Sequence, residues 1–169
     1  MKLGTTILLV ILLSFQKSYG QDTTVLINTA WTNLKTQLQR RTDIISNLTS
    51  ILSTSTKIDK EQLNNCKVFS IDLFKYVDTL SFKDSLSISL ASGKNHRLTQ
   101  ALAKTLATLE NDKRLRSDNQ LQGLIMQLEG CENRIALAKR EYNETCKEYN
   151  KTDLLFGHDK MGKASETKF

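Results

Sequence analysis

Two matched helical stripes near the ends of this chain constrain its fold more than any other feature. In the first, Ile27, Trp31, Leu34, Leu38, Arg41, Ile45, Leu48 and Leu52 follow one another by three or four residues; in the second, Leu121, Leu124, Leu128, Cys131, Ile135, Ala138, Tyr142, Thr145 and Tyr149 do the same. That spacing lines one side of an α-helix with residues that leave water. The stretches are of similar length, so each can cover the other. Proline is absent from all 169 residues and glycine occurs seven times, which suits long unbroken helices and disfavours a many-turned β-sandwich or barrel. At 39% hydrophobic, with no break in composition, the chain suits one core. The expected fold is all-α: an antiparallel up-and-down four-helix bundle whose first and last helices are long and whose two middle helices are shorter.

The first helix is expected from about Asp22 to about Thr56, ended by the Ser/Thr-rich stretch from Ser53 to Lys57. Asp59 and Gln62 form a capping-box pattern that opens the second, which runs to about Leu80 with Leu63, Cys66, Leu73, Val77 and Leu80 inward. The serine-rich segment Ser81 to Asn95, with Gly93, reads as a connection of partial helicity. Leu98, Leu102, Leu106 and Leu109 mark the third helix, and Ser117 with Gln120 repeats the capping box before the fourth, expected to reach about Thr152. Residues 153–169 show no periodicity and are expected to be a flexible tail. If the first and last helices are antiparallel with their reversals at one end, facing residues have numbers adding to about 173. Leu52 then meets Leu121, Ile45 meets Leu128, Leu38 meets Ile135 and Trp31 meets Tyr142, although a one-heptad slip preserves the apolar matching. Arg41 falls level with Glu132, and an always-charged side chain on an apolar stripe needs such a partner. An ion pair there, of bidentate geometry, would fix the register.

The N-terminus has Lys2, an apolar run from Ile7 to Phe15, and small residues Ser18 and Gly20 around Tyr19. This is the pattern of a signal peptide over residues 1–20, with Gln21 as the new N-terminus. The run is shorter than the roughly 20 apolar residues that span a bilayer. The chain is expected to be exported, periplasmic or envelope-associated, the alternative being an uncleaved N-terminal anchor. The first cysteine is Cys66, far from the cleavage site, which argues against a lipid-modified N-terminus.

The formal net charge is +6; cleavage would remove Lys2 and Lys17 and no acid. Positive charge is densest at Lys94, Arg97, Lys104, Lys113, Arg114 and Arg116. A solvated rim is the plain reading, and contact with anionic lipid headgroups or an acidic partner is the functional one. No aromatic residue lies between Lys94 and Arg116 to stack on bases, so nucleic acid is not an expected partner. His96 and His158 have no acid or cysteine at metal-ligand spacing. No phosphate-binding loop, dinucleotide fingerprint or nucleophile elbow is present, so neither enzyme nor cofactor is expected. Cys131 and Cys146 lie too far apart on one helix to bridge, and the expectation is three free buried thiols. Gly123 and Gly130 share one side of the last helix, for close helix approach or as a groove for a partner helix.

Trp31 with Gln37, Leu38, Gln39, Arg40, Arg41, Asp43, Ile44, Ile45, Asn47 and Leu48 resembles the N-terminal signature of the LemA family. Leu128 to Ala136, then Ala138, Arg140, Tyr142, Asn143, Tyr149 and Asn150, resemble its C-terminal signature. The resemblance implies a helical bundle usually tethered to a bacterial membrane by its N-terminus, with no settled enzymatic activity. Ser46 stands where the family usually has proline, which predicts a straighter first helix. Arg40, Arg41, Asp43 and Asn47, together with Glu132, Asn133 and Arg134, form the densest polar cluster near the core, read as a structural network or a partner site. The expected function is a non-catalytic cell-envelope interaction or scaffold module whose partner and oligomeric state the sequence does not name.

Overall fold

The computed structural model describes residues 2–157, with side chains from residue 23 onward except at 110 and 111. Five helices form: α1 (Lys2–Leu52), α2 (Lys60–Thr79), α3 (Ser85–Ala107), the single turn α4 (Lys113–Arg116) and α5 (Asn119–Glu148). Short 3-10 turns lie at Thr108–Asn111 and Thr152–Leu154. Among the described residues there is no strand. The expected signal peptide and cleavage point fall where side chains lie outside the described set, and among the described residues no helix is long and apolar enough to cross a membrane.

The principal packing is α1 against α5 and α2, and α2 against α3. Both expected stripes face inward, with Leu34, Leu38, Ile45, Leu48, Leu52, Leu121, Cys131 and Tyr142 fully buried. The register holds at two levels: the Trp31 and Tyr142 rings stand 5.5 Å apart, and Arg41 meets Glu132 at 3.1 Å. A one-heptad slip would separate both pairs. α1 runs through Ser46 without interruption.

Several boundaries differ from expectation for local reasons. α1 stops at Leu52, because the Ser53 and Thr54 hydroxyls donate to the carbonyls of Ser50 and Ile51 and offer the backbone an alternative to the next turn. Ser55 is buried and donates to Asp112 at 2.7 Å. At α2 only half of the capping box exists. Asp59 accepts from the amides of Glu61 and Gln62, while Gln62 Oε1 has no partner. The segment read as a connection is helical from Ser85, since Asp84 caps it by accepting from Leu86 and Ser87 N–H, and Ile88 and Ala91 bury its inner side. His96 therefore sits exposed on α3, not in a linker. Asp112 caps α4, and Asp118 rather than Ser117 caps α5 by accepting from Leu121 N–H. Gly123 and Gly130 do not mark close approach to another helix of the chain: an added Cβ would meet nothing within 4 Å at Gly123, and at Gly130 only the Arg134 guanidinium.

The largest correction concerns the tail. α5 ends at Glu148, not near Thr152, and Asn150 takes φ 56. Lys151 N–H then donates to Cys146 O at 2.7 Å and Asn150 N–H to Lys147 O at 3.0 Å, the paired bonds of a Schellman ending. The chain reverses and residues 151–157 return along α5. Tyr142 Oη donates to Leu154 O, and the Asn143 amide both donates to Phe156 O and accepts from Phe156 N–H. Leu154 and Phe156 are buried, and Ser85 Oγ donates to Asp153 O from α3. Gly157, at φ 75, lies with Lys139 on one side and Ser92 on the other. The return thus fits between α3 and α5 as part of the core. Residues 158–169, including His158, lie outside the described set.

Candidate functional site

Among the described residues, Arg41 is the one charged side chain in the set of largest fully buried ones, at 1% exposure. It projects from α1 because position 41 continues the stripe of Leu34, Leu38, Ile45 and Leu48. Its Nη1 donates to Glu132 of α5, at 3.1 Å to Oε1 and 3.4 Å to Oε2, and to Thr99 Oγ1 of α3 at 3.1 Å. Its Nη2 donates to Asn95 Oδ1 at 2.6 Å. Thr99 in turn donates to Asn95 O. One guanidinium therefore joins three helices. The pairing with Glu132 is not the expected fork, since both carboxylate oxygens face Nη1 while Nη2 serves Asn95. Arg41 Nε is buried with no partner.

Of the seven residues expected to cluster, only Arg41 and Glu132 meet. Arg40, Asp43, Asn47, Asn133 and Arg134 are exposed, because successive helix positions turn about 100° and sequence neighbours point to different sides. Sequence reasoning missed Asn95, at the end of a segment read as a connection, and Thr99, which lies inside the expected third helix but was not assigned to the cluster. Their four-residue spacing, between Ala91 and Leu102 on the same helical side, was the available signal.

All three cysteines are free and buried. Burial pushes the Cys66 thiol up to about 11 against the opposing pull of a Thr105 hydrogen bond and the Arg41 charge. Cys131 and Cys146 are also raised, chiefly by burial, with the Glu132 charge adding to the effect at Cys131. Neutral, enclosed thiols are poor nucleophiles and poor metal ligands. Among the described residues no group of three His, Cys, Asp or Glu side chains could hold a metal ion.

The six basic residues do not make one patch. Lys94 is tied to Asp72 at 2.6 Å and lies 5.1 Å from the Tyr76 ring. Arg97 and Lys104 line a polar groove of about 450 Å³ between α2 and α3, facing Asp59 and Glu61. Lys113, Arg114 and Arg116 are exposed on α4 at the bundle's end. A second groove, about 280 Å³, lies between α1 and α2, with Ile45, Ile71 and Phe74 among its lining residues and Lys67, Lys75 and Asp43 beside them.

The described residues form an all-α bundle in which one buried arginine joins three helices. The chain belongs to the LemA family, whose profile matches residues 30–164. That family is not known for any enzymatic activity. The matched span includes the return at 151–157. No match is found among curated proteins.

Proposed function

We propose that this chain is a non-catalytic interaction or scaffold module of the cell envelope, exported through its N-terminal segment. The observation that carries this reading is the α1/α2 groove. Ile71 and Phe74 remain 47% and 39% exposed there. Three of its hydroxyls are spent inside the fold, Thr42 donating to Gln39 O, Thr49 to Ser46 O and Ser70 to Thr42 O. What remains is apolar surface beside Lys67 and Lys75, with Asp43 and Ser46 also in the lining, suited to a protein partner with an apolar face and mainly acidic flanks. Crosslinking in the native envelope followed by pull-down tests it. The expected result is a discrete adduct that is lost in Phe74→Glu and Ile71→Lys; adducts unchanged by both substitutions reject the groove as the contact. An intact mass beginning at or near Gln21 supports export with cleavage, and retention of residues 1–20 in a membrane fraction supports the anchored alternative.

The second reading is a peripheral membrane-surface protein. It is favoured by the exposure of Arg97, Lys104, Lys113, Arg114 and Arg116. Co-sedimentation with anionic liposomes that disappears with salt and with reversal of Arg114 and Arg116 supports it, and no binding at low salt removes it.

A further inference from the structure

We infer that position 21 of the exported chain is a modification site, where the glutamine left by removal of residues 1–20 closes into pyroglutamate. The inference rests on the export reading above and goes beyond it. Cleavage after Ser18, Tyr19 and Gly20 leaves Gln21 with a free α-amino group, followed by Asp22 and Thr23. Such a group titrates near about pH 8, so part of it is the unprotonated nucleophile at neutral pH. The carbonyl it attacks belongs to the same residue, which replaces a bimolecular encounter by a ring closure. The α-nitrogen bonds to Cδ and the Cδ–Nε2 bond breaks. The side-chain nitrogen leaves as ammonia, taking the proton that the α-nitrogen gives up. No oxidant or co-reactant is consumed. Asparagine at this position would have to close a strained smaller ring, and a side chain without an amide has nothing to displace.

The fold leaves this end accessible and makes its charge unfavourable. α1 runs without a break across positions 20 and 21, so cleavage makes residue 21 the start of that helix. Among the described side chains the first buried one is Ile27, about 9 Å farther along the helix axis. Val25 and Leu26, which precede it, are 57% and 47% exposed. The core therefore begins beyond position 21, and the new end is free to react alone or to enter a cyclase. The first amides of a helix lack carbonyl partners and carry partial positive charge. An α-ammonium at residue 21 adds like charge to them. The neutral lactam removes it, and leaves Asp22 in the first turn with the sign that suits the helix dipole. It also denies an aminopeptidase the free amine on which it acts.

Intact mass and Edman sequencing of the full chain, recovered from its native envelope after export, test this. The expected mass is that of residues 21–169 less one ammonia, with Edman degradation blocked until pyroglutamyl aminopeptidase exposes Asp22. Gln21→Ala, exported in parallel, should show no ammonia loss and sequence from the first cycle. If that variant is not processed, the action of pyroglutamyl aminopeptidase on the parent chain decides. Residues 21–169 at full mass with an open glutamine overturn the inference and leave export standing. Retention of residues 1–20, or a start at another residue, overturns the cleavage point and the inference with it. An ammonia loss that persists in Gln21→Ala places the reaction elsewhere and also overturns it.

Discussion

Arg41 and Glu132 are unequal partners: their nearest atoms are 3.1 Å apart, yet the Arg41 side chain is 1% exposed and that of Glu132 38%. Loss of either therefore has a different cost. Glu132→Ala leaves a buried guanidinium with Asn95 and Thr99 alone, and should destabilise by about 2 kcal/mol, below the full penalty for a buried pair because Glu132 already touches water. Arg41→Leu lets Glu132 turn outward and orphans mainly Asn95 Oδ1, at a cost of about 1 kcal/mol. Urea unfolding of both single variants and the double variant measures the order; equal costs would mean that Glu132 is no freer than Arg41.

Trp31 is covered from two sides, by Tyr142 at 5.5 Å and by Phe156 at 6.2 Å. Trp31→Ala should cost about 4 kcal/mol and Phe156→Ala about 3 kcal/mol. Indole emission should shift red in Phe156→Ala as water reaches Trp31. Fluorescence unchanged by the second substitution would mean that the return does not cover the indole in solution.

Gly93 sits in the interior of α3 with open space where a side chain would go. Gly93→Ala should stabilise by about 0.5–1 kcal/mol, by lowering the backbone entropy of the unfolded chain. For a chain of this size that raises the melting temperature by about 2 °C, which scanning calorimetry resolves.

The Cys66 thiol, ordinarily near 9.0, is pushed up to about 11 by burial. The folded state holds the neutral thiol, so the unfolded chain loses its proton first as pH rises. This contribution to stability is full below about pH 9 and falls away as the pH climbs through about 11. Urea midpoints measured across that window should fall for the parent chain and fall less for Cys66→Ala. At neutral pH a thiol reagent should modify the three cysteines only after denaturant is added.

The two long stripes were legible because their residues recur at helical spacing over seven turns, and Trp31–Tyr142 and Arg41–Glu132 followed from one register. Ser81 to Asn95 was not, since serines obscured the Ile88, Ala91, Asn95 sequence, and the cap Asp84 carries no acid or amide three residues on to complete a capping box. The return at 151–157 was hidden for another reason. It has no period, and its stability comes from tertiary bonds to Tyr142 and Asn143 that local sequence does not display. Of the polar site, the α1 and α5 members were readable; Asn95 was lost with the unread start of α3, and Thr99, inside the expected helix, is a short polar residue that gives no sign of an arginine partner across the bundle.

A chain under synthesis meets the demands of this arrangement in an awkward order. Residue 31 emerges long before residue 156, whose ring completes its cover, so the aromatic end of the bundle stays unsealed until the segment through residue 156 has left the ribosome. Until then Trp31 lacks the cover that Phe156 gives it. Asn150, at φ 56, is the point where the chain folds back onto α5. Closing the aromatic end is therefore a late event, and it depends on the reversal at Asn150.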